Sequence, residues 1–290
     1  MATNIEDNIK YDKKKKIVKI IFILFMIGAF LLLWARFIST MGFVVKEVKV
    51  DAPTLPKEYD GFKLVQFTDL HYGSTVYLED LKKIVKSINK QKPDVVVFTG
   101  DLVEKGIILN DDQINSIIKE LNKINPEIEV LTVKGNHDYD SAYYDLIIPK
   151  TNFIQLDNQY EYVYKNSTTP IIFVGLDDYL DGKPDYKKAF DYPTKDQDNF
   201  VIVLAHEPDQ VEKYKSEKFN LILCGHSHLG QVRFPIVGAL YTPNGSKKYY
   251  ESHYKIEDAD MYISGGLGTS TIKFRFMNKP EYTLYRFYTN

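Results

Sequence analysis

Cysteine is almost absent from this chain. Cys224 stands alone among 290 residues, so no intrachain disulfide can staple the fold, and a packed core has to supply the stability. Cys224 also ends an apolar run, Leu221-Ile222-Leu223-Cys224. Nothing beside it would activate a thiolate, so it reads as packing rather than as a nucleophile. Excess charge of either sign is lacking too: 37 Lys and Arg against 39 Asp and Glu leave a formal net charge of -2. That balance gives no basic field for general nucleic-acid binding. No internal repeat is visible, and the one low-complexity tract is Lys13-Lys14-Lys15-Lys16. The length and a hydrophobic fraction of 44% suit one large α/β core, with two small domains as the alternative.

Histidine is scarce as well, yet it is concentrated. The chain has six histidines, and His71, His137, His206, His226 and His228 lie in short polar blocks; His253 stands outside them and reads as a surface residue. The blocks are Asp69-Leu70-His71, Gly100-Asp101, Gly135-Asn136-His137-Asp138, His206, and Gly225-His226-Ser227-His228. Each follows an apolar run: Phe62 to Phe67, Val95 to Phe98, Val130 to Val133, Val201 to Leu204 and Leu221 to Cys224. Runs rich in β-branched residues without clean alternation suit strands buried on both faces. Ligands in open α/β folds bind where the C-terminal ends of such strands converge.

One segment is apolar enough to leave water altogether. Ile20 to Ala35 carries no charge, and with Ile17, Val18, Phe37 and Ile38 it approaches the roughly 20 residues that span a bilayer. Lys19 and Arg36 lie where long side chains snorkel to the interface. The lysine tract before it predicts a cytoplasmic N-terminus and an extracellular catalytic domain. A cleaved signal peptide is the competing reading, but its apolar core is normally shorter and no convincing cleavage site follows. The expected organisation is a basic tail over residues 1–16, an anchor over 17–38, a juxtamembrane strand and linker over 39–60, and the catalytic domain over 61–290. Within it, Leu78, Leu81, Ile84, Val85 and Ile88 repeat at helical spacing. A second helix is expected from an Asp111 or Asp112 cap to Ile124. The order strand, helix, strand, helix, strand predicts a parallel sheet. Short strands at Phe153 to Leu156, Tyr160 to Tyr164 and Ile171 to Val174 predict a second one.

The donors in the blocks are carboxylates, imidazoles and one carboxamide. That mixture favours Mn, Fe or Zn over a Mg-only site. Asp69, His71, Asp101, Asn136, His206, His226 and His228 make more ligands than one coordination sphere takes, which suits two ions sharing a bridging carboxylate. Two ions about 3.5–4 Å apart can clamp a phosphate and acidify a water, so the chemistry indicated is hydrolysis of a phosphorus ester.

The ordered blocks from about Phe62 onward resemble the calcineurin-like metallophosphoesterases, in their bacterial membrane-anchored phosphodiesterase branch. The resemblance implies a four-layer αββα sandwich of two mixed sheets holding two divalent ions. Asp69, His71, Asp101 and His228 would hold one and Asp101, Asn136, His206 and His226 the other. Asp101 would then be the bridge. Asn136 and His137 would meet the substrate phosphate, with His137 as acid and Asp138, in place of the usual Glu, orienting it. Glu104 stands where many relatives have Asp. Where relatives often carry a basic residue, this chain has Gly265, and Lys273 or Arg275 would take over phosphate binding.

The expected function is hydrolysis of a phosphodiester or pyrophosphate in an envelope lipid, wall polymer or nucleotide. Few Lys or Arg flank the blocks, which tilts the reading away from monoesters. A phosphomonoesterase, including a protein phosphatase, is the alternative, and a metal-stabilised binding protein a second. Phe234 to Leu240 reads either as an apolar rim able to meet lipid or as a core strand.

Overall fold

A computed structural model describes the backbone of residues 2–289 and the side chains of residues 10–289. The chain begins with α1 (Ala2–Leu33), extended by a π-helical turn over Trp34–Ile38. This is the one helix among the described residues long and apolar enough to cross a membrane. Its side chains from Ile20 to Leu33 are largely exposed, as expected of a helix that is apolar all round and meets no protein partner.

The first sheet takes β1 (Val44–Asp51), β2 (Lys63–Phe67), β3 (Val95–Phe98), β4 (Glu129–Thr132), β5 (Phe153–Gln155) and the last strand of the chain, β14 (Glu281–Tyr288). Its order is β1-β14-β2-β3-β4-β5; β14 runs antiparallel to β2, and the other pairs are parallel. The second sheet takes β6 (Gln159–Val163), β7 (Ile171–Gly175), β8 (Phe200–Leu204), β9 (Leu221–Cys224), β12 (His253–Ile256) and β13 (Ala259–Ile263). Its order is β12-β13-β9-β8-β7-β6, with antiparallel pairs at the two edges. Between β9 and β12 in the chain comes a separate two-stranded hairpin of β10 (Arg233–Phe234) and β11 (Gly238–Ala239).

Side-chain alternation builds the layers. Leu64, Val95, Val97 and Leu131 from the first sheet pack against Ile171, Phe173, Ile202 and Leu223 from the second. The opposite residues of the first sheet, Val65, Phe67, Val96 and Phe98, meet α2 (Leu78–Lys90), α3 (Asp111–Leu121) and α5 (Tyr143–Ile147). The outer face of the second sheet, through Ile172, Val203 and Ile222, is covered by the short α6 (Tyr186–Ala189) and neighbouring loops. The result is a four-layer arrangement of two mixed sheets flanked by helices. It explains why the strand sequences lack alternation: both faces of each are covered.

Several local expectations need correction. The cap of α3 is Asn110, not Asp111 or Asp112; its side chain accepts from Gln113 N at 2.9 Å, and Gln113 reciprocates on Asn110 N at 3.0 Å. This capping box fixes the start one residue earlier, and the helix ends at Leu121 rather than Ile124. Phe153–Gln155 joins the first sheet, beside β4, instead of the second. Residues 44–51 form the edge of the first sheet, and Ala52, Leu55 and Tyr59 are buried in the inter-sheet core, so this stretch is integral to the fold. Phe234 to Leu240 is no core strand: Phe234, Val237 and Leu240 are exposed in the hairpin.

One buried amide sets the sheets in register near their C-terminal ends. Gln66 on β2 donates to Thr99 Oγ1 and to Cys224 O at 3.0 Å each, and accepts from Tyr285 OH at 2.8 Å. With those polar partners satisfied, the contact ties the end of β2 to the end of β9. The blocks beginning at Asp69 and Gly225 are thereby brought face to face.

Candidate metal centre

Every polar block emerges from a strand end into a cramped turn. Asp69, His71, Asp101, His226 and His228 all adopt left-handed backbone, with φ of 50°, 40°, 62°, 64° and 46°. Such conformations are uncommon outside glycine and cluster at functional sites. Gly100 and Gly135 make the closest approach: a Cβ on Gly100 would lie 2.8 Å from Gly135 Cα and 2.9 Å from His206 Nδ1. Both glycines are therefore required for two strand ends to abut.

The turns aim their donors at a common space. Asp69 Oδ1 lies 3.3 Å from His228 Nε2 and 3.8 Å from His71 Nε2. Asp101 Oδ2 lies 3.4 Å from His71 Nε2 and 3.2 Å from His206 Nε2, which puts Asp101 between two groups of donors. His71 Nε2 and His228 Nε2 are 3.1 Å apart. The donor atoms of Asp69, His71 and His228 lie within 4.8 Å of one another, as do those of Asp101, His206 and His226. A third overlapping set joins His71, Asp101 and His137. Asn136, at the start of the short α4 (Asn136–Asp140), lines the same cleft. All seven expected ligands are thus in one place.

Groups behind the donors decide which ring nitrogen faces inward. His206 Nδ1 is 2.7 Å from Thr99 O and His226 Nε2 is 2.6 Å from Asn244 O. In the neutral ring the carbonyl accepts from that nitrogen, which leaves the other with a lone pair for a metal. His71 Nδ1 lies 2.7 Å from Glu104 Oε2. The sequence pointed to Glu104 but not to this role, and it offered no signal for the backbone carbonyls of Thr99 and Asn244.

Electrostatics follows from burying these groups together. Burial works against the charge of Asp69 and Asp101, yet the surrounding imidazoles, His228 for Asp69 and His206 for Asp101 foremost, hold both carboxylates below their usual range. Burial also opposes a charge on His71, but Asp69 and Glu104 raise it to about 10. His226 goes the other way: burial, reinforced by neighbouring His206, brings it down to about 4, so its ring is neutral.

The donors fit a metal. His206 Nε2 and Asn136 Oδ1 are buried without a hydrogen-bond partner among the described residues, a costly state for groups that no cation or water satisfies. Oxygen and imidazole donors of this kind suit divalent transition metals.

Three expected roles are placed differently. Asp138 does not touch the His137 ring; its carboxylate accepts from the backbone N–H of Asp101 and Leu102 at 2.8 Å and of Gly135 at 2.9 Å. It pins two ligand turns together. Burial and the adjacent Asp101 push Asp138 up to about 7 against those three bonds. Glu104 is the carboxylate closer to His137, at 3.9 Å from Nδ1. Arg275 is fully buried and faces away from the cleft, donating to Gly265 O at 2.7 Å and Gly266 O at 3.0 Å, with His228 Nδ1 at 3.3 Å. It organises the tail behind the donors and is not among the residues lining the cleft. Lys273 is half-buried and lies outside the residues lining the cleft. His253 is on the surface as expected, paired with Asp260 at 2.8 Å.

Residues 62–230 match the calcineurin-like phosphoesterase family. The chain belongs to that family. Among relatives of this calcineurin-like phosphoesterase, the metallophosphoesterase YkuE of Bacillus subtilis is 34% identical over 256 residues, covering 87% of this chain and 88% of that protein. The phosphodiesterase YaeI of Escherichia coli is 29% identical, covering 77% and 81%. A transmembrane protein with a metallophosphoesterase domain from Danio rerio is 28% identical over 82% of this chain, which spans 56% of that longer protein. This calcineurin-like phosphoesterase is a hydrolase acting on phosphoester bonds.

Because Glu104 orients His71, Glu104→Ala should weaken divalent-ion affinity by roughly 10- to 100-fold. Calorimetric titration with Mn²⁺ checks this, and an unchanged affinity in a folded variant would remove Glu104 from the site.

Proposed function

We propose that this chain is a membrane-tethered hydrolase of phosphodiester or pyrophosphate bonds that works with two divalent ions, Mn, Fe or Zn. Asp69, His71, Asp101 and His228 hold one ion, and Asp101, Asn136, His206 and His226 hold the second. Asp101 serves both. The mutual distances and the unpartnered atoms of His206 and Asn136 support this division. Bound there, such ions would supply Lewis acidity toward phosphate oxygens and lower the pKa of a coordinated water.

The protein's own residues do the rest. His137 sits at the cleft with its ring 4.7 Å from that of His71 and its Nε2 3.3 Å from Ser270 Oγ. From there it donates a proton to the leaving oxygen. Its backbone N–H, bound to Asp101 Oδ1 at 2.9 Å, fixes the turn on which it rides. Asp138 supports catalysis indirectly, by locking the Asp101 and Gly135 turns. Asn136, beside His137, orients the phosphate.

One observation carries the choice of ester. The cleft has a volume of about 570 Å³, and among the described residues no Lys or Arg lines it; its walls are Gln231, Val232, Leu240, Tyr241, Ser270 and Ile272 around the candidate ligands. A monoester dianion would leave charge for cationic side chains to neutralise, whereas a diester brings one charge and a second substituent that apolar walls can seat. Residues 17–38 form the anchor, and the lysine tract leaves the domain beyond residue 43 on the extracellular side. Its substrate belongs to the envelope lipids, wall polymers or nucleotides found there.

Hydrolysis by the Mn-loaded full chain of bis(p-nitrophenyl) phosphate beside p-nitrophenyl phosphate should favour the diester; preference for the monoester would promote a phosphatase. Asp101→Ala should lose bound metal, whereas His137→Ala should keep it and lose turnover by roughly 10²–10⁴-fold; equal metal loss would overturn these roles. In intact cells, Asp198→Cys should react with a membrane-impermeant maleimide, and reaction only after lysis would reverse the orientation.

A further inference from the structure

The largest exposed apolar feature outside the anchor is the β10–β11 hairpin. From Phe234 to Tyr241 it carries no charged residue. Ile236, Val237, Leu240 and Tyr241 are 108%, 69%, 59% and 71% exposed. Nearby, Ile272 and Met277 are also exposed. A contiguous patch of this kind on a folded domain marks an interaction surface. Ile236 at the turn has φ of 70°, a left-handed conformation that disfavours a β-branched side chain. An apolar side chain therefore stands there against local backbone preference.

The hairpin is tied directly to the end of the anchor. Arg275 N donates to Ala35 O at 3.0 Å, in the π-helical turn that closes the anchor. The next residue, Phe276, accepts from Arg233 N at 3.0 Å and donates to Gln231 O at 3.2 Å. Its ring lies 5.2 Å from that of Phe234. Two adjacent residues therefore bridge the anchor to β10. Trp34, Phe37, Ile38 and Met41 at the anchor's end are themselves exposed. Lys247, whose Nζ lies 5.0 Å over the Tyr241 ring, supplies the aromatic and basic pairing favoured at a lipid headgroup layer.

We propose that the hairpin is a second membrane contact, inserting Ile236 and Val237 into the leaflet from which the anchor emerges. This rests on reading α1 as a membrane anchor. The occupant of the apolar surface is the bilayer itself, because Arg275 and Phe276 hold the hairpin beside the end of the segment that enters the bilayer. Insertion to the depth of interfacial elements, about 5–10 Å, covers the tip. Leu240 and Tyr241 belong to both the hairpin and the cleft wall, so the mouth of the cleft then lies at headgroup level. A phosphoester carried at the lipid surface reaches it without leaving the membrane.

The test is fluorescence from single environment-sensitive labels on the full chain in phosphatidylcholine–phosphatidylglycerol vesicles. Cys224 is fully buried and stays unlabelled in the folded protein. Labels at Ile236→Cys and Val237→Cys should shift to shorter wavelength and be quenched by nitroxide lipids. A label at Asp198→Cys, exposed just before the start of β8, should do neither. Labels at the hairpin as water-exposed as the one at Asp198 would overturn the proposal. A blue shift without lipid quenching would also overturn it, in favour of a second copy or another protein on this face. Flotation of the chain with the vesicles reports on the anchor separately, and none of these signals depends on turnover. The hairpin contact and the diester reading can therefore fail independently.

Discussion

Two buried carboxylates govern this structure. Asp69 and Asp101 have essentially no solvent contact, and an ionised carboxylate in such a place is tolerable only with close compensating charge or hydrogen bonds. The chain provides the backbone N–H of His226 for Asp69, the N–H of His137 for Asp101, and a wall of imidazoles around both. Much of the surrounding architecture serves that requirement. Strand ends from two sheets must meet within hydrogen-bonding distance, so glycines occupy Gly100 and Gly135, and several functional residues accept left-handed backbone. Asp138 and Arg275, which touch no donor space of their own, hold the turns and the tail that keep those strand ends in place.

The sequence made the site legible because its grammar is local. An apolar run followed by Asp, His or Asn identifies a strand end, and the converging strand ends bring together all seven expected donors. The layers were legible for a related reason: uninterrupted apolar strands imply two covered faces, and the structure covers both with a sheet on one side and helices or loops on the other. What could not be read were partners distant in sequence. Whether Arg275 points into the cleft or behind His228 depends on the path of the tail, which passes Gly265 to Gly268 before turning back. Asp138 looks like a partner for His137 because they are adjacent, but side chains one apart on a helical turn diverge; its carboxylate faces the Asp101 turn instead. The backbone carbonyls that orient His206 and His226 have no residue signature at all.

The membrane relation shows the same division. A continuous apolar segment declares itself by length, whereas the hairpin is an eight-residue apolar stretch that fits a core strand or a surface equally well from sequence. Three-dimensional context separates the two: among the described residues the hairpin strands pair with each other and with the segment around Phe276, and that segment is bonded to the anchor's end. Leu240 and Tyr241 of the hairpin also line the cleft, and Arg275 and Phe276 link the hairpin to the end of α1. On the proposed reading, a substrate for such a site would be an ester of phosphorus with little need for cationic side chains at the mouth.

Asp101 is the residue on which the proposed pair of cation sites depends. Electron paramagnetic resonance of the full chain loaded with two equivalents of Mn²⁺ addresses it most directly, because ions sharing one carboxylate would be close enough for their spins to couple. An exchange-coupled spectrum that disappears in Asp101→Ala is the predicted result. Two independent isolated-ion signals, or saturation at a single equivalent, would contradict the shared site.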